Sequence, residues 1–203
     1  MIHLYKKGKG NQGITFILFH GTGGDEHDLI PYASAIDPTA NILSIRGNVT
    51  ERGMNRYFRR IAEGVFDQED LAFRTKEMVA FLNKASKDYQ FELPKAVLIG
   101  YSNGANIVAS MALSTDLMFH TAILHHPMVP FRNRSLSLLN QKNVWILAGT
   151  NDPLVKIDET HELEQIFLKA NANVVLAWFS NGHSLSRDEI EWVSKKYSTE
   201  ILE

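Results

Sequence analysis

Six short apolar runs recur along the chain, at residues 14–19, 41–45, 95–100, 120–125, 143–149 and 173–179. Each is bounded by Gly, Pro, Asn or Asp and is rich in β-branched and aromatic side chains, which predicts buried strands. Between them the apolar spacing changes to that of a helix. Over 71–89, Leu71, Met78, Phe81, Leu82 and Ala85 fall on one helical face. Helical patterns also cover 104–113, 157–170 and 186–201. The last opens with Ser186 and carries Glu189 three residues on, the spacing of a capping box. Residues 1–13 predict an edge strand and a hairpin leading into Ile14.

Strands that are apolar on both faces and alternate with helices predict an α/β fold, with a mostly parallel sheet between helical layers. No repeat, linker or low-complexity stretch interrupts the alternation, so residues 1–203 are read as one domain. One segment fits no plain connection. Residues 47–70, "GNVTERGMNRYFRRIAEGVFDQED", are long enough to form an elaborated loop that partly covers a site.

Composition mainly excludes. The 203 residues are 44% hydrophobic and 22% charged, with a formal net charge of -2 and a pI near 6.4. That balance gives no pull toward nucleic acid or an anionic membrane. The chain has no cysteine, which removes disulfides, thiolate metal sites and a cysteine nucleophile. The N-terminal residues lack a continuous apolar stretch of the signal-peptide kind. No apolar run nears the roughly 18 residues of a membrane span. The expectation is a cytoplasmic protein, monomer or homodimer, without membrane insertion.

In an open parallel sheet, ligands bind beyond the carboxyl ends of the strands, so the residues after each strand carry the chemistry. Ser102 follows the run at 95–100, Asp152 the run at 143–149, and His183 the run at 173–179. Each has a plain reading alone: a helix cap, a turn residue before Pro153, a loop histidine. Together, on one sheet edge and in the order Ser, Asp, His, they match the catalytic triad order of α/β-hydrolases. Gly100 and Gly104 flank Ser102 where a strained strand-to-helix turn needs small residues. Two backbone N–H groups would form an oxyanion hole. Asn103 supplies one, and the "HGTGG" loop supplies the other through Thr22 or, second, Gly23.

The pocket lining expected around this triad includes His20, Tyr101 and His126, with Arg52, Tyr57, Phe58 and Phe66 from the long segment. The run Arg52, Arg56, Arg59 and Arg60 is either a solvated helix face or a cationic, aromatic-edged mouth for an anionic or aromatic substrate. His125 and His126 are adjacent, so on a strand they point to opposite sides. Only one faces the site, either as pocket lining or as a buried, hydrogen-bonded histidine, and a metal pair is disfavoured. Asp25, Glu26 and Asp28 are read as caps of the following helix. No cofactor is expected: the glycine pattern after residue 20 fails as a dinucleotide fingerprint because position 26 is Glu, and no P-loop is present.

Taken together, "HGTGGDEHDL", "RGN", "GYSNGA", "NDP" and "GHSLSRDE" resemble the phospholipase/carboxylesterase family of small α/β-hydrolases. More narrowly, they are similar to bacterial hydrolases associated with methylhydroquinone and quinone stress. The resemblance spans nearly the whole chain. It implies an α/β-hydrolase fold without a large cap domain, with Ser102 as nucleophile, Asp152 as acid and His183 as base, acting on small acyl esters or thioesters. Four positions depart from the wider family. Tyr101, Asn103 and Ala105 replace Phe, Gln and Gly in the usual Gly-Phe-Ser-Gln-Gly-Gly elbow, and Thr22 replaces the Leu of His-Gly-Leu-Gly. The histidine pair stands where small residues are usual. A polar Thr22 beside the hole argues against a purely aliphatic acyl preference.

The expected function is therefore a serine hydrolase that cleaves small carboxylic esters through an acyl-enzyme on Ser102. The alternatives are a non-catalytic binder of quinones or small phenolics on the same fold, and a metal-dependent enzyme built on the histidines.

Overall fold

The computed structural model describes residues 1–10 and 13–202. Seven strands form the main sheet: β1 (His3–Lys6), β2 (Thr15–Phe19), β3 (Asn41–Ile45), β8 (Ala96–Tyr101), β9 (Thr121–His125), β10 (Asn143–Gly149) and β11 (Asn173–Phe179). Their spatial order is β1-β3-β2-β8-β9-β10-β11. All neighbours are parallel except β1, which lies antiparallel on β3 with His3 opposite Ile45. The expected N-terminal hairpin into Ile14 does not form, because both edges of β2 are taken by β3 and β8.

Side chains alternate across the sheet and so build a core on each face. Phe16 and Leu18 of β2 pack with α1 (Ile30–Ile36) and α5 (Arg187–Glu200), against Ala33, Val193 and Tyr197. Ile17 and Phe19 face the other side. There α2 (Gln68–Tyr89) buries Leu71, Met78 and Leu82, α3 (Asn103–Ser114) is buried almost throughout, and α4 (Ile157–Lys169) buries Leu163 and Phe167. The mostly parallel α/β sandwich is thus as expected, and among the described residues no large cap domain sits above it.

Local signals set the helix ends. The Asp67 side chain caps α2 by accepting from Asp70 N–H at 3.0 Å. The helix stops at Gln90, whose φ of 57° breaks the repeat. Ser186 caps α5 through Glu189 N–H, but the Glu189 carboxylate does not complete a capping box: it is buried among histidines instead. Nor do Asp25, Glu26 and Asp28 cap α1, whose seven residues begin without a side-chain cap. Glu26 instead pairs with Arg46, which donates through Nε at 2.5 Å and Nη2 at 2.8 Å.

Within residues 47–70, two small antiparallel hairpins cover 49–66, and Gln68, Glu69 and Asp70 already open α2. One hairpin joins β4 (Val49–Glu51) and β5 (Met54–Arg56), the other β6 (Arg60–Ala62) and β7 (Val65–Phe66). The arginine run is therefore not on a helix. Among the described residues, no helix is long and apolar enough to cross a membrane.

Candidate active site

Ser102 sits between β8 and α3 with φ 51° and ψ -112°, a conformation that costs an L-residue strain and persists only where the surroundings enforce it. Its N–H donates to His125 O at 2.9 Å, and its carbonyl accepts Asn106 N–H at 3.0 Å. The flanking glycines permit the turn. A Cβ at Gly104 would lie 2.0 Å from the Phe19 carbonyl oxygen, and one at Gly100 would lie 2.7 Å from the Ala105 backbone. The start of α3 is thereby pressed onto the end of β2, and the Ser102 hydroxyl is left facing a cleft.

The three residues read as a triad lie together. Ser102 Oγ is 2.9 Å from His183 Nε2, and His183 Nδ1 is 2.7 Å from Asp152 Oδ2. The other Asp152 oxygen accepts the N–H groups of Leu154 at 2.8 Å and Val155 at 3.0 Å. Burial alone would raise the Asp152 carboxyl, but these hydrogen bonds outweigh it and hold the group below its usual range. The histidine loop is fixed through its backbone on both sides of the His183 side chain. Tyr101 donates its hydroxyl to the His183 carbonyl at 2.6 Å, and Gly182 N–H donates to Asn151 Oδ1 at 2.9 Å.

The histidine pair departs from the expected opposition. β9 ends at His125, and His126 has φ 51°, which turns its ring back toward the same side. Both rings reach Glu189: His125 Nδ1 at 2.5 Å and His126 Nε2 at 3.2 Å. His126 Nδ1 lies 3.2 Å from Asp152 Oδ2. Both are buried, so His126 stands behind Asp152 rather than lining a pocket. Atoms of His126, Asp152 and His183 come within 4.8 Å of one another, and the two imidazoles account for this by donating to one carboxylate. The site needs no ion to explain its shape.

A cleft of about 470 Å³ opens in front of Ser102, a size suited to a small molecule. Of the expected lining, Tyr101 and Phe66 face it. Tyr57 and Phe58 are buried beneath it instead. The Tyr57 hydroxyl accepts His20 N–H at 3.0 Å and donates to Ile45 O at 2.7 Å, which ties together the ends of β2 and β3. His20 is also buried, with Nδ1 2.6 Å from Gly21 O and Nε2 accepting Gly47 N–H at 3.0 Å. Arg52 occupies the β4–β5 turn at φ 52°, away from the cleft.

Two other arginines of the run do reach it. Arg56 is only 3% exposed; it donates through Nη1 to the Thr22 hydroxyl at 2.7 Å and through Nε to Phe58 O at 3.3 Å. Burial, with Arg60 beside it, pulls its guanidinium below the usual value. Arg60 lines the cleft and pairs with Glu51 at 2.9 Å. A cationic wall is thus the reading of the run that fits the structure, although Arg59 is exposed and held by Asp67 and Asp70.

Thr22 and Asn103 both line the cleft beside Ser102, and among the described residues no acceptor takes the N–H of either. Gly23 is different: its N–H donates to Asn55 O at 2.9 Å, which removes it as an oxyanion donor. The Asn103 side chain accepts Tyr57 N–H at 2.8 Å. Its Nδ2 is buried with no partner among the described residues. Sequence reading missed Glu189, Asn106 and Met128 near the site. The only signal for Glu189 was a helix-cap spacing, which pointed to a different job.

Residues 47–201 match the dienelactone hydrolase family. The chain belongs to that family. MhqD of Bacillus subtilis (strain 168), a hydrolase by assignment, is 41% identical over 202 residues, covering 100% of both chains. A carboxylesterase from Bacillus cereus is 49% identical with a TM-score of 0.94, over 97% of this chain and 93% of that one. YahD, solved with malic acid, is 30% identical with a TM-score of 0.93, over 98% of each. The hydrolase is thus similar to carboxylesterases of the small α/β-hydrolase type, as its motifs indicated, and esterase-type hydrolysis of a small-molecule ester follows from that kinship.

Proposed function

We propose that the whole chain is one catalytic unit, a serine esterase that works through an acyl-enzyme on Ser102, with the two hairpins of residues 47–70 as a partial cover. The observation that carries this is the continuous chain from Ser102 Oγ through His183 to the buried Asp152 carboxylate, at 2.9 and 2.7 Å. His183 Nε2 accepts the Ser102 proton as Oγ attacks the ester carbonyl. Asp152 holds the Nδ1 proton in place and stabilises the cation that forms. The N–H groups of Thr22 and Asn103 receive the oxyanion, each contributing about 3 kcal/mol to transition-state stabilisation. The alcohol leaves with the proton from His183. Water then repeats the sequence on the acyl-enzyme and regenerates Ser102.

The cleft favours a short acyl group. Phe66, Met128 and Leu154 offer apolar walls, while Arg56 and Arg60 offer positive charge. A small ester bearing a carboxylate or another acceptor suits that lining better than a long alkyl chain. The malic acid in the YahD structure, a small dicarboxylic acid, is in keeping with such a preference. Thioesters are open to the same chemistry.

A fluorophosphonate probe tests the reading. Covalent labelling that disappears in Ser102→Ala, with nitrophenyl acetate turned over much faster than nitrophenyl palmitate, is the expected result. No labelling of the folded protein would favour a binder of small phenolics over an esterase, and faster palmitate turnover would overturn the short-acyl assignment.

A further inference from the structure

Glu189 is fully buried in the first turn of α5. Its Oε2 accepts from His125 Nδ1 at 2.5 Å, and its Oε1 accepts from Asn181 Nδ2 and from Ser186 Oγ at 3.3 Å. Burial alone would push this carboxyl up, but the hydrogen bonds from His125 and His126 hold it down at about 2. It is therefore an anion that already has a donor on each oxygen. His125 serves it as a neutral ring: burial lowers its affinity for a second proton, and its Nε2 lies 2.7 Å from the Tyr32 hydroxyl.

His126 is placed between two such anions. Its Nδ1 is 3.2 Å from Asp152 Oδ2 and its Nε2 is 3.2 Å from Glu189 Oε1, with the side chain wholly out of water. A neutral imidazole carries one N–H and one lone pair. In either tautomer the lone pair would face a carboxylate oxygen, two acceptors without a proton between them. Only the imidazolium satisfies both contacts. The remaining titratable neighbours are the His183 ring, 5.3 Å away between centres, and the Tyr101 ring, edge-on at 6.1 Å. Tyr101 stays neutral because burial and the two nearby carboxylates push its phenol up.

We propose that His126, doubly protonated between Asp152 and Glu189, is a positioning residue that fixes the Asp152 carboxylate for its contact with His183. The inference rests on the triad reading of Ser102, His183 and Asp152. Asp152 Oδ2 is shared between the two rings, and the buried His126 ring, itself gripped by Glu189, holds that oxygen where His183 Nδ1 meets it. Glu189 acts through His126 by keeping it charged.

Long-range ¹H–¹⁵N spectra of ¹⁵N-histidine-labelled protein read this without any variant. At about pH 8, where a free imidazole is neutral, His126 is expected to show two protonated nitrogens. A single tautomer would overturn the proposal. Glu189→Gln removes the anion that holds the second proton, and His126→Asn removes the ring with a residue that tolerates its left-handed backbone. In both, kcat on a small ester is expected to fall about tenfold to a hundredfold with KM little changed. An unchanged kcat in both folded variants, with normal fluorophosphonate labelling, would sink the proposal and leave the triad intact. Absent labelling of the parent protein with a doubly protonated His126 would support the placement and remove the catalytic reading instead.

Discussion

Arg56 donates to the Thr22 hydroxyl at 2.7 Å from a guanidinium that is itself buried. The contact joins the β4–β5 hairpin to the loop that carries Thr22 into the lining of the Ser102 cleft. It also gives the threonine side chain a structural job: the hydroxyl is an anchor for the hairpin. Thr22→Val keeps the shape and deletes the anchor. A hydrogen bond from a charged donor contributes about 1.5–3 kcal/mol, so kcat on a small ester is expected to fall roughly tenfold to a hundredfold with KM little changed. Steady-state kinetics on nitrophenyl acetate decides it, and an unchanged kcat would detach Arg56 from the chemistry.

Ser102 holds its place at the expense of backbone strain. Its φ of 51° and ψ of -112° suit glycine far better than serine. Ser102→Gly is therefore expected to abolish esterase turnover while raising stability by about 1–2 kcal/mol, a rise of several degrees in Tm for a chain of this size. Thermal melts beside activity assays would show the two effects moving in opposite directions. A drop in Tm would mean that the turn is not strained by its serine.

Much of this arrangement was legible in the chain. The strands at Asn41–Ile45, Asn143–Gly149 and Asn173–Phe179 coincide with the apolar runs, because each run ends where a turn residue takes over; the first two are buried, whereas the last, at the sheet edge, is only half-buried. Ser102, Asp152 and His183 were readable because parallel topology places all strand C-termini on one edge. What stayed hidden depends on contacts distant in sequence. The burial of Tyr57 follows from its bonds to His20 and Ile45, and nothing in the local pattern of residues 47–70 separates buried from exposed aromatics there. The histidine pair was misjudged because strand alternation was carried one residue too far, past the end of β9 into a left-handed backbone at His126.

Tyr57 itself offers a stability test. Its hydroxyl bridges the His20 N–H and the Ile45 carbonyl, both in the interior. Tyr57→Phe leaves the ring packing intact and strands these two backbone groups, each costing about 1–3 kcal/mol when unsatisfied. A loss of roughly 2–4 kcal/mol in urea unfolding is expected, with activity reduced because the "HGTGG" loop leaves β2 at that point. A loss under half a kcal/mol would show that water or a backbone shift replaces the hydroxyl.

Acid should weaken the fold in two stages, and His20 contributes to the first beside His120 and His125, whose values burial also lowers. His20 Nδ1 lies 2.6 Å from Gly21 O and its Nε2 accepts Gly47 N–H, so the folded ring is neutral with its proton on Nδ1. A second proton would set Nε2–H against Gly47 N–H. Burial accordingly lowers its folded value from the ordinary 6.5. The unfolded chain then binds more protons below pH 6.5, so the stability His20 contributes is present above that pH and lost as the pH falls. Glu189 enters later: its unfolded value of 4.5 drops to about 2 in the fold, so its contribution fades between those limits. Each such group changes stability by at most about 1.4 kcal/mol per pH unit. His20→Gln reproduces both hydrogen bonds without titrating, since its amide donates to Gly21 and accepts from Gly47. Urea midpoints across the pH range should therefore show a flatter slope just below pH 6.5 in the variant, with the steeper loss below pH 4.5 retained. A variant whose upper slope matches the parent would mean that His20 takes up its proton in the folded state as readily as in the unfolded chain.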